Sequence, residues 1–356
     1  MPMHFETPPT SVCILRLSAI GDTCHALPVV RTLQAAWPET QLSWVIGKTE
    51  AALLGDVPGI DFLIFDKSRG VRAQFDLRRA LRGRRFDILL AMHASLRANI
   101  ASRMIPATTR VGFDRKRAKD YQRLFTSHQI PARPAQHVMD GLFEFAEYVG
   151  IEDRLVRWDI PLSDRDIEYA SNHVPDDVPV LAISPCSSQR FRNYRNWSVD
   201  NYAAIADHFA NRHGGSVVLT GGPTELEREY GAAIIAKTRC RPNNLIGKTS
   251  LKQLVAILSR ATVLTCPDSG PAHMATAVNT PVVGLYATSN PDRTGPYFSR
   301  QWVVNKYPDA ILAEFGKTAE QLSWGKRVRN PRAMELIKVD EVATMLDRVM
   351  SQSAFS

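Results

Sequence analysis

The chain has 356 residues, 44% hydrophobic and 22% charged, with a formal net charge of +8. That length exceeds a single hydrophobic core and fits two domains, and the balance excludes fibrous and disordered classes. No run approaches the ~18 apolar residues that span a bilayer, and the start MPMHFETPPTSV lacks the pattern of a secretory signal, so a cytoplasmic protein is expected. Five scattered cysteines (Cys13, Cys24, Cys186, Cys240, Cys266) form no CxxC pair, which argues against a disulfide framework or a zinc site.

In chain order, the segments alternate between strand and helix signals, the pattern of βα units on a parallel sheet. VCILRL (12–17) predicts a buried strand, and LPVVRTLQAAW (27–37) a helix. Strands follow at LSWVIG (42–47), FLIF (62–65), FDILLAM (86–92) and TRVGF (109–113), with helices at 96–104 and 137–150. The stretch 151–166 reads as a connection. A second series then runs through strands at 178–184, 216–222, 245–247, 262–266 and 281–287. Its helices run from the cap Ser198 to Gly214 and over 224–238, 250–261 and 271–279. In such sheets ligands bind at the carboxyl ends of strands, so the loops there are the candidate site.

Charge is uneven along the chain. Between Arg69 and Arg133 sixteen Lys/Arg face only four Asp, a net +12. Such a field favours anionic partners, whether nucleic acid, a membrane surface or a phosphorylated or carboxylated substrate; the plainer alternative is a solvated basic face.

Four motifs carry chemistry. SAIGDTCHALP (18–28) follows the first strand without the G-x-G-x-x-G of dinucleotide enzymes. Pro28 suits a first helical turn, which predicts a helix start near Ala26 and places Asp22 in the loop ahead as a candidate general base. A turn-forming or capping Asp is the bland alternative. CPDSGPAHMATAV (266–278) offers the N–H groups of Ser269 and Gly270 to a diphosphate, Asp268 to sugar hydroxyls, and His273 one turn on. SPCSSQRFRNYRNWS (184–198) adds Ser187, Ser188, Arg190, Arg192 and Arg195, where arginine could neutralise a leaving diphosphate. In TGGPTELERE (220–229), Glu225 at a helix start could accept ribose hydroxyls. Nucleic-acid-binding signatures are missing despite the interleaved aromatics.

Together these motifs resemble the ADP-heptose:lipopolysaccharide heptosyltransferases, bacterial inverting enzymes. The carrying residues are G-D-x-x-H-x-L-P (Gly21 to Pro28), S-L-x-x-x-x-x-x-L-S-R-A (Ser250 to Ala261), D-S-G-P-A-H (Asp268 to His273) and VVGLYATSNPDRTGPY. The resemblance implies an α/β GT-B fold, two Rossmann-like domains facing each other across a cleft. Residues 1–165 would bind acceptor and 166–338 nucleotide sugar, with a helix in 339–356 packing back toward the first domain. It makes Asp22 the base and puts Arg195 where the family's phosphate-binding Lys is expected. Ser187 and Ser188 would flank the phosphates, Glu225 take the ribose and the backbone near Thr249 the adenine. Asp268 would hold the heptose, with Ser269, Gly270 and His273 beside the diphosphate.

By region alone, Arg69, Arg72, His93, Arg97, Arg110, Arg115, Lys116, Lys119 and His137 are acceptor candidates. The implied donor is ADP-heptose and the implied acceptor 3-deoxy-D-manno-oct-2-ulosonic acid (Kdo) on lipid A, bare or phosphorylated. No cofactor and no metal are expected, since there is no Asp-x-Asp, and no nucleic acid. The expected protein is a monomer, peripheral at the cytoplasmic face of the inner membrane. Rival readings are an enzyme adding a later core heptose and a basic nucleic-acid or membrane-surface binding protein.

Overall fold

A computed structural model describes residue 3 and residues 7–187 and 192–353. The chain divides into two compact units, Met1–Pro161 and Leu162–Ser356. The first contains β1 (Ser11–Arg16), α1 (Ile20–Ala36), β2 (Gln41–Gly47), α2 (Lys48–Leu54), β3 (Asp61–Phe65) and α3 (Arg72–Ala80). It continues with β4 (Phe86–Leu90), α4 (Leu96–Arg103), β5 (Ala107–Gly112), β6 (His128–Gln129) and α5 (Val138–Tyr148). The second opens with α6 (Asp164–Ser171), β7 (Val180–Ile183), α7 (Val199–His213), β8 (Ser216–Leu219), α8 (Glu225–Lys237), β9 (Asn243–Asn244) and α9 (Leu251–Arg260). It ends with β10 (Val263–Pro267), α10 (Gly270–Ala277), β11 (Val282–Tyr286), α11 (Pro291–Thr294), β12 (Val304–Asn305), α12 (Tyr307–Phe315) and α13 (Val339–Ser353).

Each unit holds a six-stranded parallel sheet, ordered β3-β2-β1-β4-β5-β6 in the first and β12-β11-β10-β7-β8-β9 in the second. Both are the doubly wound order, whose direction reverses between β1 and β4 and between β7 and β10. At such a switch point the flanking loops splay apart and leave a ligand crevice. Central strands are buried on both faces and read as apolar runs for that reason: Val12 to Leu15 and Val180 to Ile183 are fully enclosed.

Four elements differ from the sequence-based reading. Helix α1 begins at Ile20, not near Ala26, and Pro28 lies inside it. An interior proline cannot donate to the carbonyl four residues back. That carbonyl, of Cys24, instead accepts the indole N–H of Trp158 at 2.7 Å, so the missing bond is replaced from outside the helix. The connection expected over 151–166 is largely part of the first unit: Leu155 N–H donates to Thr32, and Arg31 donates to the carbonyls of Trp158 and Asp159. The chain passes to the second unit after Pro161, and Ser163 caps α6. The last helix, expected as a separate segment packing toward the first domain, belongs to the second unit. It packs on α7 and buries Val342, Leu346 and Val349 in that unit's core. The strand expected at 245–247 is two residues at Asn243–Asn244. Helix α7 matches its signals, with the Ser198 hydroxyl accepting from Asn201 N–H and Gly214 closing it at φ +62°. No described helix is long and apolar enough to cross a membrane.

Candidate active site

At the first switch point the strand β1 ends in Arg16, a charged residue pulled under the loops and nearly buried. Its guanidinium reaches across to β4, donating to Met92 O at 2.5 Å, and meets Asp22 Oδ2 at 2.8 Å. The same Asp22 oxygen accepts Ala19 N–H at 3.2 Å. Asp22 thus stands in the first turn of α1 rather than in a free loop, where the positive helix end favours a carboxylate. Its side chain keeps 38% exposure against 10% for Arg16, so the carboxylate reaches solvent while its partner does not.

His93 follows β4, and its Nδ1 accepts Leu17 N–H at 3.2 Å, which leaves the proton of the neutral ring on Nε2. Burial first, then the Arg16 charge, push its pKa from 6.5 down to about 4, so it is neutral at pH 7. Beyond β2, Glu50 is 3% exposed and its Oε2 has no hydrogen-bond partner among the described residues. Burial is the main cause pushing the Glu50 carboxyl above its ordinary range, with the nearby Asp22 charge adding to it. The turn that carries it depends on Gly47, where a Cβ would fall 2.2 Å from Leu17 O and 2.3 Å from Glu50 Oε2.

The basic acceptor candidates separate into two groups. Arg72, Arg97, Arg115, Lys116 and Lys119 are exposed on the first unit. Arg69 is ion-paired with Asp76 at 2.7 Å. Arg110 is not a surface contact: its guanidinium donates to the carbonyls of Ser102 and Ile105, closing the end of α4. His137 is also committed, since its Nδ1 accepts Met139 N–H at 3.1 Å as the cap of α5 and its ring meets His25 edge-on.

At the second switch point the same construction recurs with different burial. Arg195, from the loop after β7, donates to Asp268 O at 2.7 Å and lies 3.3 Å from Asp268 Oδ2. Asp268 ends β10's loop at only 8% side-chain exposure and takes a further bond from Ser289 Oγ at 2.7 Å, with Arg327 at 3.7 Å. Ser269 precedes α10 and turns its hydroxyl back to Pro267 O, while Pro271 sits in the first turn, where no N–H is lost. Gly270 opens the helix and His273 is buried one turn further.

Ser187 is nearly buried and held by Asn196 and Asn193. Ser188 and Arg190 lie outside the described residues. Glu225 is the first residue of α8 and exposed, whereas Glu227 is engaged by Gly222 N–H and Thr224. Thr249 immediately precedes the Ser250 cap of α9.

Sequence reasoning missed Arg16, Glu50, Ser289 and Arg327. Only Arg16 left a trace, as a charge ending a fully apolar strand. Among the described residues one group has metal-ligand geometry, His208, His213 and Asp347, where both imidazole Nε2 atoms lie 2.9 and 2.7 Å from one carboxylate oxygen. It joins α7 to α13. The thiols of Cys24, Cys186 and Cys266 are pushed up to about 12 by burial, so none is a nucleophile at neutral pH.

Solved structures share this architecture. A glycosyl transferase family 9 protein from Veillonella parvula matches at TM-score 0.80 and 21% identity, covering 96% of this chain and 98% of that one. The E. coli heptosyltransferase WaaC with ADP matches at TM-score 0.73 and 17% identity, covering 95% and 99%. The fold is therefore of the GT-B type. The model of glycosyltransferase family 9 (heptosyltransferase) matches residues 74–324. The lipopolysaccharide core heptosyltransferase OpsX of Haemophilus influenzae is 38% identical over 98% of this chain and 99% of that protein. The chain belongs to glycosyltransferase family 9, the heptosyltransferases.

Proposed function

We propose that the protein transfers heptose from ADP-heptose to Kdo of the lipopolysaccharide inner core, with inversion and in a single displacement. Asp22 takes the proton of the acceptor hydroxyl while that oxygen attacks the anomeric carbon. The bond from that carbon to the ADP oxygen breaks, and ADP leaves with the electron pair. The observation that carries this reading is the Arg16–Asp22 pair: a carboxylate fixed at a switch point by a buried arginine, yet open to solvent.

In the second unit the diphosphate falls to the N–H groups of Ser269 and Gly270 and to Arg195, with Ser187 alongside. Positive charge placed in advance where negative charge grows is the largest electrostatic contribution such a site can make. The loop of Arg195 is anchored on Asp268, so the guanidinium is positioned before the donor arrives. Glu225 takes the ribose and the backbone at Thr249 the adenine; Asp268, beside His273, holds the sugar. No metal enters the reaction on this reading. The exposed Arg72, Arg97, Arg115, Lys116 and Lys119 suit an acceptor bearing carboxylate and phosphate. The enzyme would then act at the cytoplasmic face of the inner membrane.

The test is incubation with ADP-heptose and Kdo-lipid A, with and without a Kdo phosphate, followed by mass spectrometry. Addition of one heptose to either acceptor is expected. Transfer only to an acceptor that already carries a heptose would replace Kdo by a later core sugar.

A further inference from the structure

Exposed apolar side chains are clustered on this molecule, and they cluster where the positive charge does. Of the eleven large hydrophobic side chains exposed among the described residues, six lie between residues 71 and 124. The stretch Arg69 to Arg133 carries the net +12. Val71, the N-cap of α3, and Phe75 are one turn apart, and Leu96 and Ile100 are one turn apart on α4. Tyr121 and Leu124 flank a short turn at 78% and 75% exposure.

These residues share one layer of the first unit. Ala73 and Leu77 of α3 and Ala98 and Ala101 of α4 pack into the same core cluster with Cys13, Leu15 and Val45. Both helices therefore cover one face of the sheet and turn their opposite sides outward. The segment bearing Tyr121 is fastened to α4: Asp120 accepts Leu96 N–H at 2.9 Å, and the buried Asn99 amide donates to the carbonyls of Lys119 and Asp120. Asp120 and Tyr121 are held at φ +50° and +61°, a conformation that costs energy for residues other than glycine. The outcome of that strain is a tyrosine presented to solvent.

Beside this ridge, between the last turns of α3 and α4, lies a cavity of about 810 Å³. Phe75, Arg78, Arg79, Arg82, Arg84 and Arg103 line it, and no carboxylate does. Of these arginines, Arg84 is paired to Asp61 and Arg103 stacks over Phe125.

An exposed apolar patch rimmed by one sign of charge marks a contact surface. Apolar side chains that enter the acyl boundary, with arginines at headgroup level, fit an anionic bilayer. We propose that the outer face of α3, α4 and the 121–124 turn docks on an anionic lipid bilayer, with phosphate headgroups entering the arginine cavity. The proposal goes beyond the transfer reaction and rests on that reading only for the reason a bilayer is nearby. Docked in this way, the sheet lies along the membrane, and the strand ends carrying Asp22 open at its edge. A free phosphate would use the cavity without the ridge, and RNA would use the charge without the apolar side chains.

The test is co-sedimentation of the full chain with vesicles of phosphatidylethanolamine and phosphatidylglycerol, and with vesicles of phosphatidylcholine. Wild type should sediment with the first and not the second, and high salt should weaken the association. The double variant Tyr121→Ser/Leu124→Ser and the triple variant Arg78→Gln/Arg79→Gln/Arg82→Gln should each lose at least tenfold in vesicle affinity. Both should keep their melting temperature, since all five side chains are exposed. Turnover of a water-soluble acceptor fragment should stay unchanged, whereas turnover of acceptor embedded in vesicles should fall. Equal sedimentation with both lipids would overturn the proposal, as would vesicle affinity unaffected by Tyr121→Ser/Leu124→Ser. RNA capture with no vesicle binding would also overturn it. Failure of the transfer reading would show differently, as no turnover of the soluble fragment by any of the proteins.

Discussion

The two units solve one problem twice, and the solutions differ in burial. Each places an arginine–aspartate pair where the strand order of a doubly wound sheet reverses. In the first, Arg16 is enclosed and Asp22 keeps 38% of its side chain open. In the second, Asp268 is closed in at 8% and is bound by Ser289 and Arg327 as well as Arg195. A carboxylate that keeps contact with solvent can receive a proton from a ligand. A carboxylate surrounded by three donors is better suited to holding loops and hydroxyls in place. On the proposed reading, the same pair serves chemistry on one sheet and binding on the other.

The largest test of that division is Asp22→Asn, which keeps the shape and removes the base. Turnover should fall by about 10²–10⁴, the worth of a positioned general base, while calorimetric ADP affinity stays at the wild-type value. Wild-type-like turnover would remove Asp22 from this role. Arg195→Ala should give the opposite pattern. ADP binding should weaken by roughly 1–3 kcal/mol, the scale of a lost charge-assisted hydrogen bond. An unchanged isotherm would take the diphosphate away from this arginine.

The helices bearing the two acidic sites also contrast in their prolines. Pro271 sits in the first turn of α10 and removes no hydrogen bond, whereas Pro28 leaves a gap inside α1 that Trp158 fills. Trp158→Phe retains an aromatic ring but strands the buried Cys24 carbonyl. Thermal or urea unfolding should show a loss on the order of 2 kcal/mol, as expected for an unsatisfied buried acceptor. A loss within error would mean that α1 tolerates the gap unaided.

Pro28 also shows what a sequence conceals. The central strands were legible because a parallel sheet buries both faces, so Val12–Leu15 and Val180–Ile183 read as unbroken apolar runs. The cap Ser198 was legible because capping is local, whereas Thr224 and Ser250, read as the first residues of their helices, are their caps. The start of α1 was not legible, since a tryptophan 130 residues away in sequence decides whether the proline is tolerated. Helices α2 and α3 escaped for a related reason: α3 buries only Ala73 and Leu77 among charged neighbours, too few for a period to show. Asp22 and Asp268 were singled out from motif and from their place after a strand, and the structure sets each beside an arginine. Arg16 shows its place only through contacts with Met92 and Asp22, which lie outside its strand, and Arg110 and His137 spend their side chains on helix ends.

The smallest effect tests how the enclosed side of the first site is poised. His93 accepts Leu17 N–H with its neutral ring, and burial together with Arg16 holds its pKa near 4. In the unfolded chain the same ring titrates at its ordinary value of 6.5. Between those values the unfolded state binds the extra proton, so this residue makes stability fall as pH falls, an effect that fades as pH rises past the unfolded value of 6.5. From pH 7 to 5.5 its share is about 1 kcal/mol, from the difference in proton binding across that interval. His93→Gln cannot take up a proton there, so its unfolding free energy should change less over the same range. The variant should also be compared at pH 7.5, where any difference from wild type reports packing and the Leu17 bond alone. If the pH dependences superimpose, the imidazole is already solvated, and the enclosure that distinguishes Arg16 from Asp22 does not extend to its neighbour.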